Sequence, residues 1–188
     1  MIEVKGRGGI SAKIVAHSKS AVNGKEIITY ELEYHRFIHS EFMTHRMFSR
    51  NAASSRAIPV AKMIELVQKS PAAPIHWGKN QAGMQAKEEC NALVFSYLDD
   101  ESMVNIDCWK NLAMYISYEA KAFSDAGYHK QIVNRLLEPF QMMKVVCTAT
   151  EYDNFFYLRN HSDAQPEIAE LARCMWEAKK QSVPEVLQ

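Results

Sequence analysis

Within the run 26–34, residues 28–34 alternate strictly. Ile28, Tyr30, Leu32 and Tyr34 are apolar or aromatic, and Thr29, Glu31 and Glu33 between them are polar. A period of two predicts a strand with one face in a core and the other in water. The run 10–17 (ISAKIVAH) is rich in β-formers, and Asn23-Gly24 between the two runs is a strong turn signal. Together they predict an antiparallel hairpin. Its apolar face needs a second layer, which the rest of the chain must supply.

That layer reads as helical. Phe37, Ile38, Phe42, Met43 and Met47 fit a helical stripe over 37–48, so that 44–56 begins at a helix end and runs into a loop. A short amphipathic helix is predicted at 60–68, with Pro59 in its first turn. Residues 70–85 hold two Pro, two Gly and a Trp and read as a long loop or lid. Helices follow at 86–98 and 105–126, the second with the stripe Ile106, Trp109, Ala113, Ile116, Ala120 and Phe123 and closed by Gly127. Residues 129–138 read as helix until Pro139, 144–150 as a strand, and 153–159 and 165–180 as helices. Asp163 is the expected cap of the last helix, with Ile168, Leu171, Ala172 and Met175 inward. The expectation is one α+β domain over 1–188, a central antiparallel-rich sheet flanked by helices, with 1–25 as an N-terminal strand region.

The chemistry concentrates in Thr44–Arg56. This segment holds one His, three Arg, three Ser and one Asn, with no acid. Arginine forks and small hydroxyls suit a phosphate. Lys and Arg total 22, as do Asp and Glu. A zero net charge argues for a local anion site and against nucleic acid as partner, although Arg46, Arg50 and Arg56 leave a nucleotide-binding module open. Cys90, Cys108, Cys147 and Cys174 form no CxxC pair, so no metal is expected. The amino terminus has no apolar run, which with scattered thiols implies a cytoplasmic chain and no membrane partner. Gly6, Gly8 and Gly9 around Arg7 read as a turn without a preceding strand, not as a phosphate loop. Arg135, among Ile132, Val133, Leu136 and Leu137, is either snorkelling or held by an anion or a carboxylate such as Glu138. Asn154 and Arg159 lie on a helix whose plain reading is core packing. His45 taken alone reads as a structural histidine.

Taken in order, these fragments resemble the flavin-dependent thymidylate synthases. That family carries an Arg-His-Arg triplet, seven further residues, a Ser, and an Arg two positions on. His45, Arg46, Ser54 and Arg56 stand at the matching positions, with Thr44 in place of the first Arg. Arg135 in VNRLLEP, Asn154 and Arg159 in NFFYLR, and Gln165 and Glu167 in AQPEI match the later blocks. The resemblance implies reductive methylation of dUMP to dTMP, with FAD as cofactor and NADPH and methylenetetrahydrofolate as co-substrates, or a related hydroxymethylation or action on dCMP. It also implies a homotetramer with shared active sites. It places Glu41, Thr44, Ala53, Ser54, Ser55, Arg56, Arg135 and Arg159 with the substrate, Arg159 being the catalytic residue. Thr44, His45, Arg46, Ala52, Thr148, Ala149, Thr150 and Asn154 fall with the flavin. Ala52 stands where the family commonly has Glu, and the family's early Thr-Pro-x-x-His element is missing. Arg50 is the expected compensation for Thr44, and His35, His39 or His45 for the missing His.

Overall fold

The computed structural model describes residues 2–188. In chain order its elements are β1 (Glu3–Lys5), β2 (Ser11–Ser20), β3 (Glu26–His35), α1 (His39–Phe42), β4 (Ser49–Ala52), α2 (Val60–Lys69), β5 (Val94–Ser96), β6 (Glu101–Met103), α3 (Asn105–Asp125), α4 (Lys130–Leu136), β7 (Met142–Ala149), α5 (Asp153–Arg159), α6 (Pro166–Gln181) and β8 (Glu185–Leu187). The chain divides into two compact units, Met1–Ala53 with Met142–Gln188, and Ser54–Gln141.

The first unit is a six-stranded sheet in the order β1-β2-β3-β7-β4, with β8 parallel to β2. All other pairings are antiparallel. The expected hairpin is β2–β3. Gly24 at φ 70° and Asn23, whose side chain accepts from the Lys25 N–H, make its turn. Tyr30 lies opposite Ile14 on one side and Cys147 on the other, so the apolar sets of three strands share one face. Helix α6 covers that face with Ile168, Leu171, Ala172, Met175 and Ala178, all fully buried. Each large apolar side chain so buried contributes about 1.5–3 kcal/mol. The charged ends of Glu31 and Lys144 lie on the other face.

The second unit is helical. Met63 and Val67 of α2, Ala113 and Ala120 of α3, and Val133 of α4 form its core with Leu137 and Phe140. The stripe expected on α3 is only partly inward, since Phe123 is exposed. The 70–85 loop is tied at its start by Trp109, whose indole N–H donates to the Ala72 carbonyl at 2.9 Å. Further on, the Cys90 N–H donates to the Trp77 carbonyl and the Lys79 N–H to Glu88.

Several expectations change. The helix over 37–48 ends at Phe42, because Thr44 and Arg50 cap its last carbonyls, and 49–52 is strand β4 paired with β7. No helix forms at 86–98. The Val94, Phe95 and Tyr97 run favours strand, and the β5–β6 turn is fixed by Ser96 and by Asp100 at φ 55°. The last helix is capped by Gln165, whose side chain accepts the Ile168 N–H at 3.0 Å, not by Asp163. Helix α4 stops at Leu136, and Pro139 lies in the 3-10 turn Glu138–Phe140 that follows. Strand β1 precedes the glycine turn, where none was expected. The two short strands β4 and β8 carry no alternation long enough to announce them.

Candidate functional site

The sheet unit gathers Glu41, His45 and Arg159 from sequence-distant elements. Helix α5 is anchored by Phe155 and Phe156, both buried in the core, and carries Arg159 in its last turn. A cation suits that end of a helix. The Arg159 Nε donates to His45 Nε2 at 3.0 Å, and Nη1 donates to Glu41 Oε1 at 2.8 Å. The guanidinium is thus held from two directions, with the side chains of Arg159 and Glu41 24% and 30% exposed.

His45 is placed by aromatic packing. Phe155 meets its ring edge-on at 4.8 Å between centroids, and Phe48 stacks at 6.0 Å. Because Nε2 accepts from Arg159, the neutral ring carries its proton on Nδ1. Burial holds the His45 pKa below its usual value, and Arg159 and Arg50 lower it further. Arg50 donates through Nη1 to the Phe42 carbonyl at 2.9 Å and stands 5.8 Å from the Phe42 ring centre. It therefore supplies positive field near the Thr44 turn while its fork is tied to backbone. The Thr44 hydroxyl donates to the Glu41 carbonyl at 2.7 Å and fixes the end of α1.

The other residues expected with the flavin divide. Arg46 and Asn154 are exposed and carry donors. Thr148 is half-buried and its hydroxyl is bonded to that of Thr29 at 2.9 Å. Ala149 is 7% exposed within the core, and Ala52 packs against that core. Thr150 lines a cavity of about 190 Å³ with Glu26, Glu151, Asp153 and Lys179. Three carboxylates against one ammonium make that cavity unsuited to a dinucleotide pyrophosphate, and it is small for such a ligand. Arg46 and Asn154 are thus the open donors of this set, while the side chains of Thr148 and Ala149 are engaged in the sheet and Thr150 lies at an acidic cavity. His45 is engaged by Arg159. His35 is fully buried on the Gly8 carbonyl at 2.7 Å and is closed to a flavin, while His39 is partly exposed with its Nδ1 bonded to the Tyr34 hydroxyl at 2.8 Å.

The substrate set also divides. Ala53 donates its N–H to the Lys144 carbonyl at 2.9 Å and is the last residue of the sheet unit. Within the helical unit, Ser54 precedes the 3-10 turn Ser55–Ala57, and Arg56 is exposed. Arg135 is exposed on α4, its Nε donating to Gln131 of the same helix at 3.1 Å. Asn134, which the sequence did not single out, joins these parts. Its buried Nδ2 donates to the carbonyls of Ser55 at 2.7 Å and Ile58 at 3.0 Å. The signal available was a lone amide beside Arg135 in an apolar run. The segment holding Ser54, Ser55 and Arg56 is thereby pinned to the helix that presents Arg135.

Burial pushes the thiols of Cys147 and Cys174 up to about 11, so neither is an activated nucleophile. Among the described residues, no group of three or more His, Cys, Asp or Glu could hold a metal ion, and no helix is long and apolar enough to cross a membrane.

The chain is similar in fold to two solved structures of the UMP/dUMP methylase PolB from Streptomyces cacaoi. The structure bound with 5-Br UMP shares 18% identity over 95% of this chain and 92% of that one, with a TM-score of 0.69. The structure bound with 5-Br dUMP shares 16% over 95% and 93%, with a TM-score of 0.64. No curated protein sequence matches. The thymidylate synthase complementing proteins match as a family over residues 7–185. With nearly its whole length matched, the chain belongs to that family, the flavin-dependent thymidylate synthases.

Proposed function

We propose that the protein is a flavin-dependent methylase that converts dUMP to dTMP, with methylenetetrahydrofolate as carbon donor and NADPH as reductant. One observation carries the reading: Arg159 is held by a neutral His45 and by Glu41 with part of its fork open. A guanidinium oriented before the ligand arrives stabilises negative charge developing on a uracil carbonyl, with little reorganisation as C5 becomes nucleophilic. Ser54, Arg56 and Arg135 take the 5′-phosphate through charge-assisted bonds. Arg46 and Asn154 hold FAD, which when bound supplies the redox chemistry and carries the one-carbon unit. Family membership and the UMP/dUMP specificity in the neighbours' name support a pyrimidine 5′-monophosphate as substrate. The assembly proposed is a homotetramer with shared sites, for which light scattering should give four times the 21.5 kDa chain mass.

The test is direct. Protein supplied with FAD should show a flavin absorption spectrum that shifts on titration with dUMP, and should form dTMP when both co-substrates are present. Arg159→Ala should lower kcat/KM by about 10²-fold or more while the far-UV circular dichroism is unchanged. A protein that FAD cannot reconstitute, or an Arg159→Ala variant with full activity, would overturn the reading.

A further inference from the structure

Resting on that reading, we propose that Glu41 is the specificity-determining residue for the base, admitting a ring that presents a carbonyl beside a ring N–H and rejecting one that presents a carbonyl beside a bare ring nitrogen. The bonds within the group use Nε and Nη1 of Arg159 and Oε1 of Glu41. Nη2 of Arg159 and Oε2 of Glu41 remain for a ligand, on side chains that are both partly exposed. The pair therefore offers a donor next to an acceptor.

A uracil edge is the complement of that pair. Arg159 donates to a ring carbonyl, and Glu41 accepts the neighbouring N3–H. A carboxylate paired with a guanidinium accepts and does not donate. Cytosine meets it badly on either side. With Arg159 on O2, the lone pair of N3 points at the carboxylate. With Glu41 on the exocyclic amine, Arg159 meets the ring nitrogen and has no carbonyl on which to stabilise charge. A Gln at this position would offer both an acceptor and a donor and would not discriminate. The carboxylate makes the edge strict, and its acceptance of N3–H also adds electron density to the ring that Arg159 polarises. A correctly matched two-bond edge separates bases by roughly 10- to 100-fold.

The experiment is calorimetric titration of the FAD-supplied protein with dUMP, dCMP and 3-methyl-dUMP, whose methyl group replaces the N3–H. Wild-type protein should bind dUMP roughly 10- to 100-fold more tightly than either of the others. The Glu41→Gln variant should bring dCMP to within a few fold of dUMP and leave 3-methyl-dUMP weak. The wild-type arm needs no folded variant, and circular dichroism checks the substitution. Equal binding of dUMP and 3-methyl-dUMP by wild type, or undiminished preference for dUMP in Glu41→Gln, would overturn the proposal while the nucleotide reading stands. Failure of wild type to bind any of the three would overturn both.

Discussion

The orientation of Arg159 depends on a histidine that must stay uncharged. His45 can accept from Arg159 only while Nε2 keeps its lone pair. Its pKa lies below the ordinary 6.5, through burial first and then through Arg159 and Arg50. Protonation would remove the acceptor and set two cations together, so kcat/KM should fall as the pH drops below that value. The His45→Gln variant keeps an acceptor without the titration, and its pH–rate profile should lose this acid limb. An unchanged limb would assign it to another group. The same lowering makes a stability statement. Between its folded pKa and 6.5, the unfolded chain binds more protons than the folded one, so stability is fully present above 6.5 and declines as the pH falls through that window. His35 and His39 are shifted in the same direction, chiefly by burial. Urea midpoints measured between pH 8 and pH 5 should therefore decrease toward acid. Sequence spacing could name His45 and Arg159 as members of one family's site. It could not show that they bond each other across 114 positions, because only tertiary packing of Phe155 and Phe48 brings the ring there.

At the scale of elements, long strands were legible and short ones were not. Strand β3 shows its buried face as Ile28, Tyr30, Leu32 and Tyr34, and α6 shows its own as Ile168, Leu171, Ala172 and Met175. Strand β4 is Ser-Arg-Asn-Ala, a sequence without β propensity, and it forms because β7 offers it a ladder. The amino-terminal glycine turn is another case where a distant partner decides. Glu170, 4% exposed, accepts the Arg7 N–H at 2.9 Å and two bonds from Arg173. Its carboxylate fills the space beside Gly6, so a methyl group there would lie 2.5 Å from Oε1 and 2.7 Å from the Cys174 sulfur. Neither atom has room to retreat, since the sulfur is buried and the carboxylate is bonded on several sides. Gly6→Ala should destabilise the sheet unit by about 1–3 kcal/mol, read as a lower urea midpoint. Gly83→Ala is the contrasting control. Its added methyl meets nothing within 4 Å, and the cost there is confined to the backbone at φ 96°.

At the scale of the whole chain, one unit is a single continuous insertion in the other. The sheet unit leaves off at Ala53 and resumes at Met142, and residues 54–141 intervene. The two ends belong to neighbouring strands, since Ala52 pairs with Val145 and the Ala53 N–H donates to the Lys144 carbonyl. Adjacent strands stand about 4.8 Å apart, so a short flexible linker can close the gap at small entropic cost. Each unit also owns a separate apolar core, one around Tyr30, Leu32 and Met175, the other around Val67, Ala113 and Val133. A chain in which a short Gly-Ser linker replaces residues 54–141 should therefore fold into the sheet unit, with a cooperative urea transition and strand-rich circular dichroism. It should keep the His45–Arg159 bond, so its stability should still fall toward acid. It lacks Ser54, Arg56 and Arg135, so it should lose the preference for a nucleotide over its nucleoside if those three residues take the phosphate. A linker chain that unfolds without cooperativity would show that the sheet needs more than its own core. One that folds and still prefers dUMP to deoxyuridine would move the phosphate role to Arg46 and the rest of the sheet unit.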